Sequence, residues 1–189
     1  MYNYEQLTEY LMPHIIDNLV CIFRNGSQLF CRNCKDYDYT IITRVETGIG
    51  CFHINDLNVD CFVMSVETLK QKLKDDQWRY KLSVCLAKTN SGNIIYGELP
   101  TLDIDILSRE YLLKILKIEY AFAQKTYFIG KGAGKTIVWG MALYYALSNG
   151  SVTFTNEQLD KMQYYHDNPI DNEFLAQLKS AMENLLQGA

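Results

Sequence analysis

Lys35-Asp36-Tyr37-Asp38-Tyr39-Thr40-Ile41-Ile42-Thr43 reads as a β-strand that opens on two acids. Aromatic and β-branched residues fill the rest of it, and these suit a pleated, half-buried surface. Side chains alternate across a strand, so Asp36 and Asp38 share a face, their Cα atoms about 6.7 Å apart over two strand steps. Two carboxylates aimed the same way repel each other and contribute little to a fold. They suit a divalent cation, because Mg²⁺ takes hard oxygen ligands. For this stretch taken alone, the alternative is a strand whose leading polar residues simply face water.

The flanks add to the pattern. Upstream, Leu19-Val20-Cys21-Ile22-Phe23 reads as a buried strand running into Arg24-Asn25-Gly26-Ser27. Downstream, Asn58-Val59-Asp60-Cys61-Phe62-Val63-Met64 reads as another strand with a third acid at its start. The order strand, Gly-Ser, short helix, Asp-x-Asp strand, lone-Asp strand resembles the DNA polymerase β-like nucleotidyltransferase superfamily. The helical half makes it most similar to the stand-alone bacterial and phage members, including those encoded beside RNA-repair enzymes. The resemblance implies that Gly26 and Ser27 open a helix whose N–H groups hold the nucleotide's phosphates. It implies that Asp36, Asp38 and Asp60 hold two Mg²⁺ (or Mn²⁺) ions. General chemistry agrees, since a helix N-terminus favours anions and two metals can clamp attacking and leaving oxygens. The activity so implied moves a nucleoside monophosphate from an NTP, with ATP among the candidates, to a hydroxyl of RNA, a small molecule or a protein. The alternative is a catalytically inactive member kept as a binding protein for a nucleic-acid-processing partner. Its support is Gln28-Leu29-Phe30-Cys31, standing where the family usually has a second small residue or glycine.

Composition sets the outer bounds. A chain of 189 residues, 48% hydrophobic and 13% aromatic, holds enough for a packed core, in one domain or in one domain plus a small appendage. A net charge of −4 argues against nonspecific coating of nucleic acid. The polar start Met1-Tyr2-Asn3-Tyr4-Glu5 lacks a signal-peptide pattern, and no apolar run approaches a membrane span, so a cytoplasmic protein is expected. Six cysteines lie mostly in apolar runs, as reduced core cysteines do. Cys31-x-x-Cys34 with Cys51 and His53 would make a zinc set of plausible ligand count, and a zinc-stabilised interaction module is the third reading.

Taken in order, the apolar spacing predicts a helix over 4–18, kinked or split at Pro13. Strand 19–23 follows, then the Asn25-Gly26 turn and a short helix to about Asn33, capped by Ser27. The Asp-x-Asp strand runs to Arg44. A hairpin strand is expected over 51–54, with Asn55-Asp56 as its turn before the Asp60 strand. Adjacent strands lie about 4.8 Å apart, so three carboxylates can converge. Ser65 caps a helix to about Asp75. The segment 78–87 is helix or extended core, and 94–97 a short strand. Asp103 and Asp105 read as helix-start acids. The expected class is α+β: a small mixed or antiparallel sheet with flanking helices over residues 1–107, and a helical unit over 108–189.

The helical half is predicted as helices over 108–128, 132–148, 155–166 and 171–187. At the junction of the first two lies Gly130-Lys131-Gly132-Ala133-Gly134-Lys135-Thr136, which imitates a P-loop. It is one residue short between glycines, and a helical pattern precedes it where a P-loop needs a strand. Five lysines and one acid, Glu119, lie from Lys114 to Lys135. Lys114, Lys117 and Lys125 fall on one stripe within about 80° of each other. A solvated face explains such a stripe, and so does contact with phosphate, for which Lys131 and Lys135 are the candidates.

Overall fold

Pro13 divides the first amphipathic stretch in two. In the computed structural model, which describes residues 2–31, 34, 37–74, 77–89, 91–101, 108–131 and 134–188, α1 (Tyr4–Thr8) is closed by an Asn3/Gln6 capping box. Helix α2 (Pro13–Ile16) then starts on the proline, where its missing N–H costs nothing. Leu7, Leu11 and Ile15 keep their helical spacing through the break and stay buried on one side.

They cover a five-stranded sheet of β1 (Leu19–Asn25), β2 (Tyr37–Thr43), β3 (Cys51–Ile54), β4 (Val59–Ser65) and β5 (Ile94–Gly97). The spatial order is β3-β4-β2-β1-β5. Strands β2 and β4 pair in parallel, because β3 reverses the chain between them, while the other pairs are antiparallel. The sheet is therefore mixed, with helices on both faces. One face carries Leu19, Ile22, Tyr39, Ile41, Val59, Cys61 and Val63 under α1 and α2. The other carries Cys21, Phe23, Ile42 and Met64 under α3 (Val66–Lys74) and α4 (Trp78–Thr89), which add Leu69, Leu73, Val84 and Ala87. The segment left open between helix and extended core is thus a helix, and its buried Leu82–Ala87 run makes one wall of the second core.

The second group of helices is α5 (Arg109–Ala123), α6 (Gly134–Asn149), α7 (Asn156–Asp167) and α8 (Asn172–Gln187). Ser108, Thr155 and Asp171 cap α5, α7 and α8 as their residue types predict. Helix α6 is buried continuously over Ile137–Leu143, which makes it the centre of this unit. The helix expected to reach Phe128 ends instead at Ala123, and a separate 3₁₀ turn spans Tyr127–Ile129. Tyr127 is buried there, with its hydroxyl 3.3 Å from Oε1 of the buried Glu119, so the chain breaks to deliver that ring into the core.

By internal contacts the chain falls into two compact units, Met1–Leu29 with Cys34–Ile104, and Phe30–Asn33 with Asp105–Ala189. Phe30 sits edge-on to Trp139 at 5.1 Å and to Phe154 at 5.7 Å between ring centroids. The expected boundary at Leu107, and the helix-start acids Asp103 and Asp105, lie outside the described residues. Among the described residues no helix is long and apolar enough to cross a membrane.

Candidate active site

Strand phase decides which side chains meet. Asp38 of β2 and Asp60 of β4 are direct partners in the parallel ladder, so both carboxylates project from the same sheet face, the one under α3 and α4. The row continues to either side. His53 of β3 is the antiparallel partner of Asp60, and Asn25 of β1 is the partner of Asp38. Four polar residues, His53, Asp60, Asp38 and Asn25, therefore cross four strands in one line. The row behind them on the same face turns apolar through Phe62 and Phe23. Asp36 lies outside the described residues, as does Lys35.

Each member of the row is held. His53 Nδ1 stands 2.8 Å from Asp60 Oδ1, with side chains 40% and 46% exposed. Asn25 Oδ1 accepts the Gly26 N–H at 2.8 Å and the Ser83 hydroxyl of α4, also at 2.8 Å. The Gln28 amide donates to the backbone carbonyl of Asp38. Tyr80, one turn before Ser83, has its hydroxyl pushed up by burial and then by the Asp38 charge. Two like charges in register are unfavourable on a bare sheet. Here a ring nitrogen on Asp60 fixes the orientation of one of them.

Gly26 explains the tightness at Asp38. Its backbone is left-handed, with φ +69°, and a Cβ there would fall inside the Asp38 carboxylate. The glycine lets the end of β1 lie against the acid. The surrounding turn differs from the expected one. Ser27 caps no helix running to Asn33: it lies buried within a four-residue 3₁₀ turn, Gly26–Leu29, with its Oγ 3.9 Å from the Cys34 sulfur. A turn this short offers no aligned stack of N–H groups, and the Gly26 N–H is already bound to Asn25. Among the described residues, the buried Oε1 of Gln28 and Oγ1 of Thr40 have no hydrogen-bond partner.

The remaining motifs resolve in the same way. The P-loop imitation is preceded by α5 and a 3₁₀ turn, not a strand, so the nucleotide-cradling geometry does not arise. Gly132 lies outside the described residues. Gly134 opens α6, and a Cβ there would collide with the carbonyl oxygens of Tyr165 and His166 at the end of α7. The positive end of one helix thus meets the negative end of another, and the glycine's open space is filled by protein rather than phosphate. Lys131 and Lys135 are both exposed, as are Lys114, Lys117 and Lys125. Five of the six cysteines are buried, none is in a disulfide, and the described residues contain no group of three His, Cys, Asp or Glu side chains that could hold a metal ion. Cys31, Cys34, Cys51 and His53 therefore do not assemble as a zinc set.

Sequence reasoning weighed His53 only as a zinc ligand and missed Asn25, Gln28, Tyr80 and Ser83. Counting the hairpin back from its Asn55-Asp56 turn would have placed His53 opposite Asp60. Nothing local marks Tyr80 or Ser83, which reach the row from α4.

No protein-family model and no curated protein matches this chain. Among solved structures it is similar to a nucleotidyltransferase-like protein from Exiguobacterium sibiricum, with 14% identity and a TM-score of 0.34 over 97% of this chain and 74% of that one.

Proposed function

We propose that the chain is a metal-dependent nucleotidyltransferase that moves a nucleoside monophosphate from an NTP to an acceptor hydroxyl in the cytoplasm. The supporting observation is the in-register pair Asp38 and Asp60 on one sheet face, with Gly26 cleared to lie against Asp38. The donor set fits a hard divalent ion, since it consists of two partly exposed carboxylates near the starts of two neighbouring inner strands. Asp38 and Asp60 would hold Mg²⁺ or Mn²⁺, with Asp36 as the expected third carboxylate. When bound, the metal supplies positive charge to the phosphates at the reacting centre. Asp60 receives the proton of the acceptor hydroxyl as its oxygen bonds to the α-phosphorus and the bond to pyrophosphate breaks. His53 holds Asp60 in one rotamer for that step, and Asn25 fixes the turn that carries Gly26. Lys131 and Lys135 are the proposed phosphate contacts of the helical unit. RNA, a small molecule or a protein supplies the hydroxyl.

A second reading has its own observation. Ser27 is buried and the Gly26 N–H is tied to Asn25, so the usual phosphate donors are engaged within the protein. This favours a nucleotidyltransferase fold retained for binding a nucleic-acid-processing partner. Incubation with each labelled NTP and Mg²⁺ or Mn²⁺, with and without RNA, separates the two. Label transfer or pyrophosphate release that is lost in Asp38→Asn supports the enzyme. Absence of both with every NTP, from protein that still binds the metal, supports the binding protein.

A further inference from the structure

Eight large hydrophobic side chains are exposed among the described residues, and six of them fall in two stretches. Tyr10, Met12 and Ile16 lie in and between α1 and α2, while Ile118, Phe122 and Ile129 lie along α5 and the 3₁₀ turn after it. Single exposed hydrophobics are ordinary on a protein surface, but a grouped set marks a surface that another molecule covers.

The two stretches carry opposite charge. Residues 1–23 hold Glu5, Glu9 and Asp17 and no lysine or arginine. All three acids are exposed, while Leu7, Leu11 and Ile15 turn inward to the sheet. On α5 the buried residues Leu112, Ile115, Leu116, Glu119 and Ala123 occupy one arc of the helix. At about 100° per residue, Lys114, Lys117, Ile118, Ala121 and Phe122 fall in the opposite arc, about 140° wide, and all five are exposed. Lys125, four residues after Ala121, is exposed as well. Arg109 and Glu110 at the helix start cancel, and Glu119 is buried, so this face is cationic. The outer face of a surface helix is ordinarily polar throughout, whereas this one sets Ile118 and Phe122 among lysines.

We propose that these two faces are the halves of one contact between copies of this chain, with α5 of one copy seated on α1 and α2 of the next. Tyr10, Met12 and Ile16 meet Ile118 and Phe122, and the lysines meet the carboxylates around them. A polyanion such as RNA or an anionic lipid surface would take up the lysines of α5 but leave the apolar residues of α1 and α2 in water. A second copy covers both. Because the two halves differ, the contact is head-to-tail. Each copy in a pair keeps one unused face, and the assembly grows until it closes into a ring. Neither face includes a residue proposed for the transfer reaction, so this contact stands apart from that reading.

Sedimentation velocity of the full chain over a concentration series, at low and high salt, is the test. Association that rises with concentration and weakens with salt is expected, since salt screens exposed charge pairs. Lys117→Glu with Lys125→Glu makes both faces acidic, and Glu9→Lys with Asp17→Lys makes both basic. Glu9 and Asp17 are the C-cap residues of α1 and α2, where a cation is tolerated. Each double variant alone should associate about tenfold more weakly than wild type. An equimolar mixture of the two should recover the wild-type association, because every acidic face then has a basic one to meet. Phe122→Ser should weaken association at both salt concentrations. A chain that stays monomeric at every concentration in low salt overturns the inference. So does association that the double variants leave unchanged, or that their mixture fails to recover while both far-UV circular dichroism spectra stay native. Binding of duplex RNA or phosphatidylserine vesicles that requires Lys117 and Lys125, by a chain that remains monomeric, overturns it in favour of a polyanion.

Discussion

Asp38 carries two separate demands, one from its neighbour Asp60 and one from Gly26. Replacing it by asparagine removes the like-charge contact and leaves the shape, so the melting temperature should stay level or rise. The same substitution should abolish any increase in melting temperature on adding Mn²⁺, because a ligand that binds only the folded state stabilises by mass action. A thermal scan with and without metal checks both outcomes, and a full metal-induced shift in Asp38→Asn would remove Asp38 from the site. Gly26→Ala meets two costs, the left-handed backbone and the collision with Asp38. Together these should destabilise by about 1–3 kcal/mol. In an Asp38→Gly background the collision disappears and only the backbone part remains, so the two substitutions should be non-additive in denaturant titrations. Additive losses would mean that Gly26 answers to its own turn alone.

At the scale of elements, the helix caps give the cleanest expectations. Thr155 and Gln158 form a reciprocal capping box at the start of α7, with 3.2 and 2.9 Å hydrogen bonds. Thr155→Ala should cost about 1 kcal/mol, read from the urea midpoint. Asp171 caps α8, and its carboxyl is held below the usual range by the Phe174 N–H and then by the Tyr165 hydroxyl. Its folded pKa thus lies below its unfolded one. The stability it contributes is fully present above the unfolded value and is lost as pH falls through the folded value. Asp171→Asn keeps an acceptor at the cap but does not titrate. The gap in melting temperature between wild type and variant should therefore narrow below about pH 4. A gap that stays constant from pH 7 to pH 3 would show that the carboxylate is not coupled to folding.

For the whole molecule, the cysteines report how the core is closed. Burial pushes the Cys21 and Cys61 thiols up to about 12, with the Asp60 charge adding to the second. Cys51 alone is exposed. Iodoacetamide at pH 8 should therefore modify Cys51 first, followed by intact-mass spectrometry, and reach all six thiols only in denaturant. Rapid native labelling of Cys21 or Cys61 would contradict the sheet as packed here. The basic residues of the helical unit answer to a different measurement. Lys131→Ala and Lys135→Ala should each weaken binding of a non-hydrolysable NTP by about 1–3 kcal/mol if each makes a charge-assisted hydrogen bond. Unchanged affinity in both would return the segment to a link between two helices.

Much of this chain was written locally. The period of two in Tyr37–Thr43 and Val59–Ser65 set the faces of Asp38 and Asp60, Pro13 split the first helix, and Ser108, Thr155 and Asp171 marked three helix starts. These are properties of a few consecutive residues, governed by backbone sterics and capping, and they can be read one segment at a time. The row His53, Asp60, Asp38 and Asn25 is of another kind, since each neighbour comes from a different strand and only the ladder register brings them into line. Tyr80 and Ser83 reach their places through packing of α4, which no local pattern encodes. Tertiary contact also overruled two local signals. Ser27 and Gly134 look like a helix cap and a phosphate loop, but the first was buried in a 3₁₀ turn and the second filled by the end of α7. A cap or a glycine specifies only what its own backbone can do, and the neighbours that arrive on folding determine what it is used for.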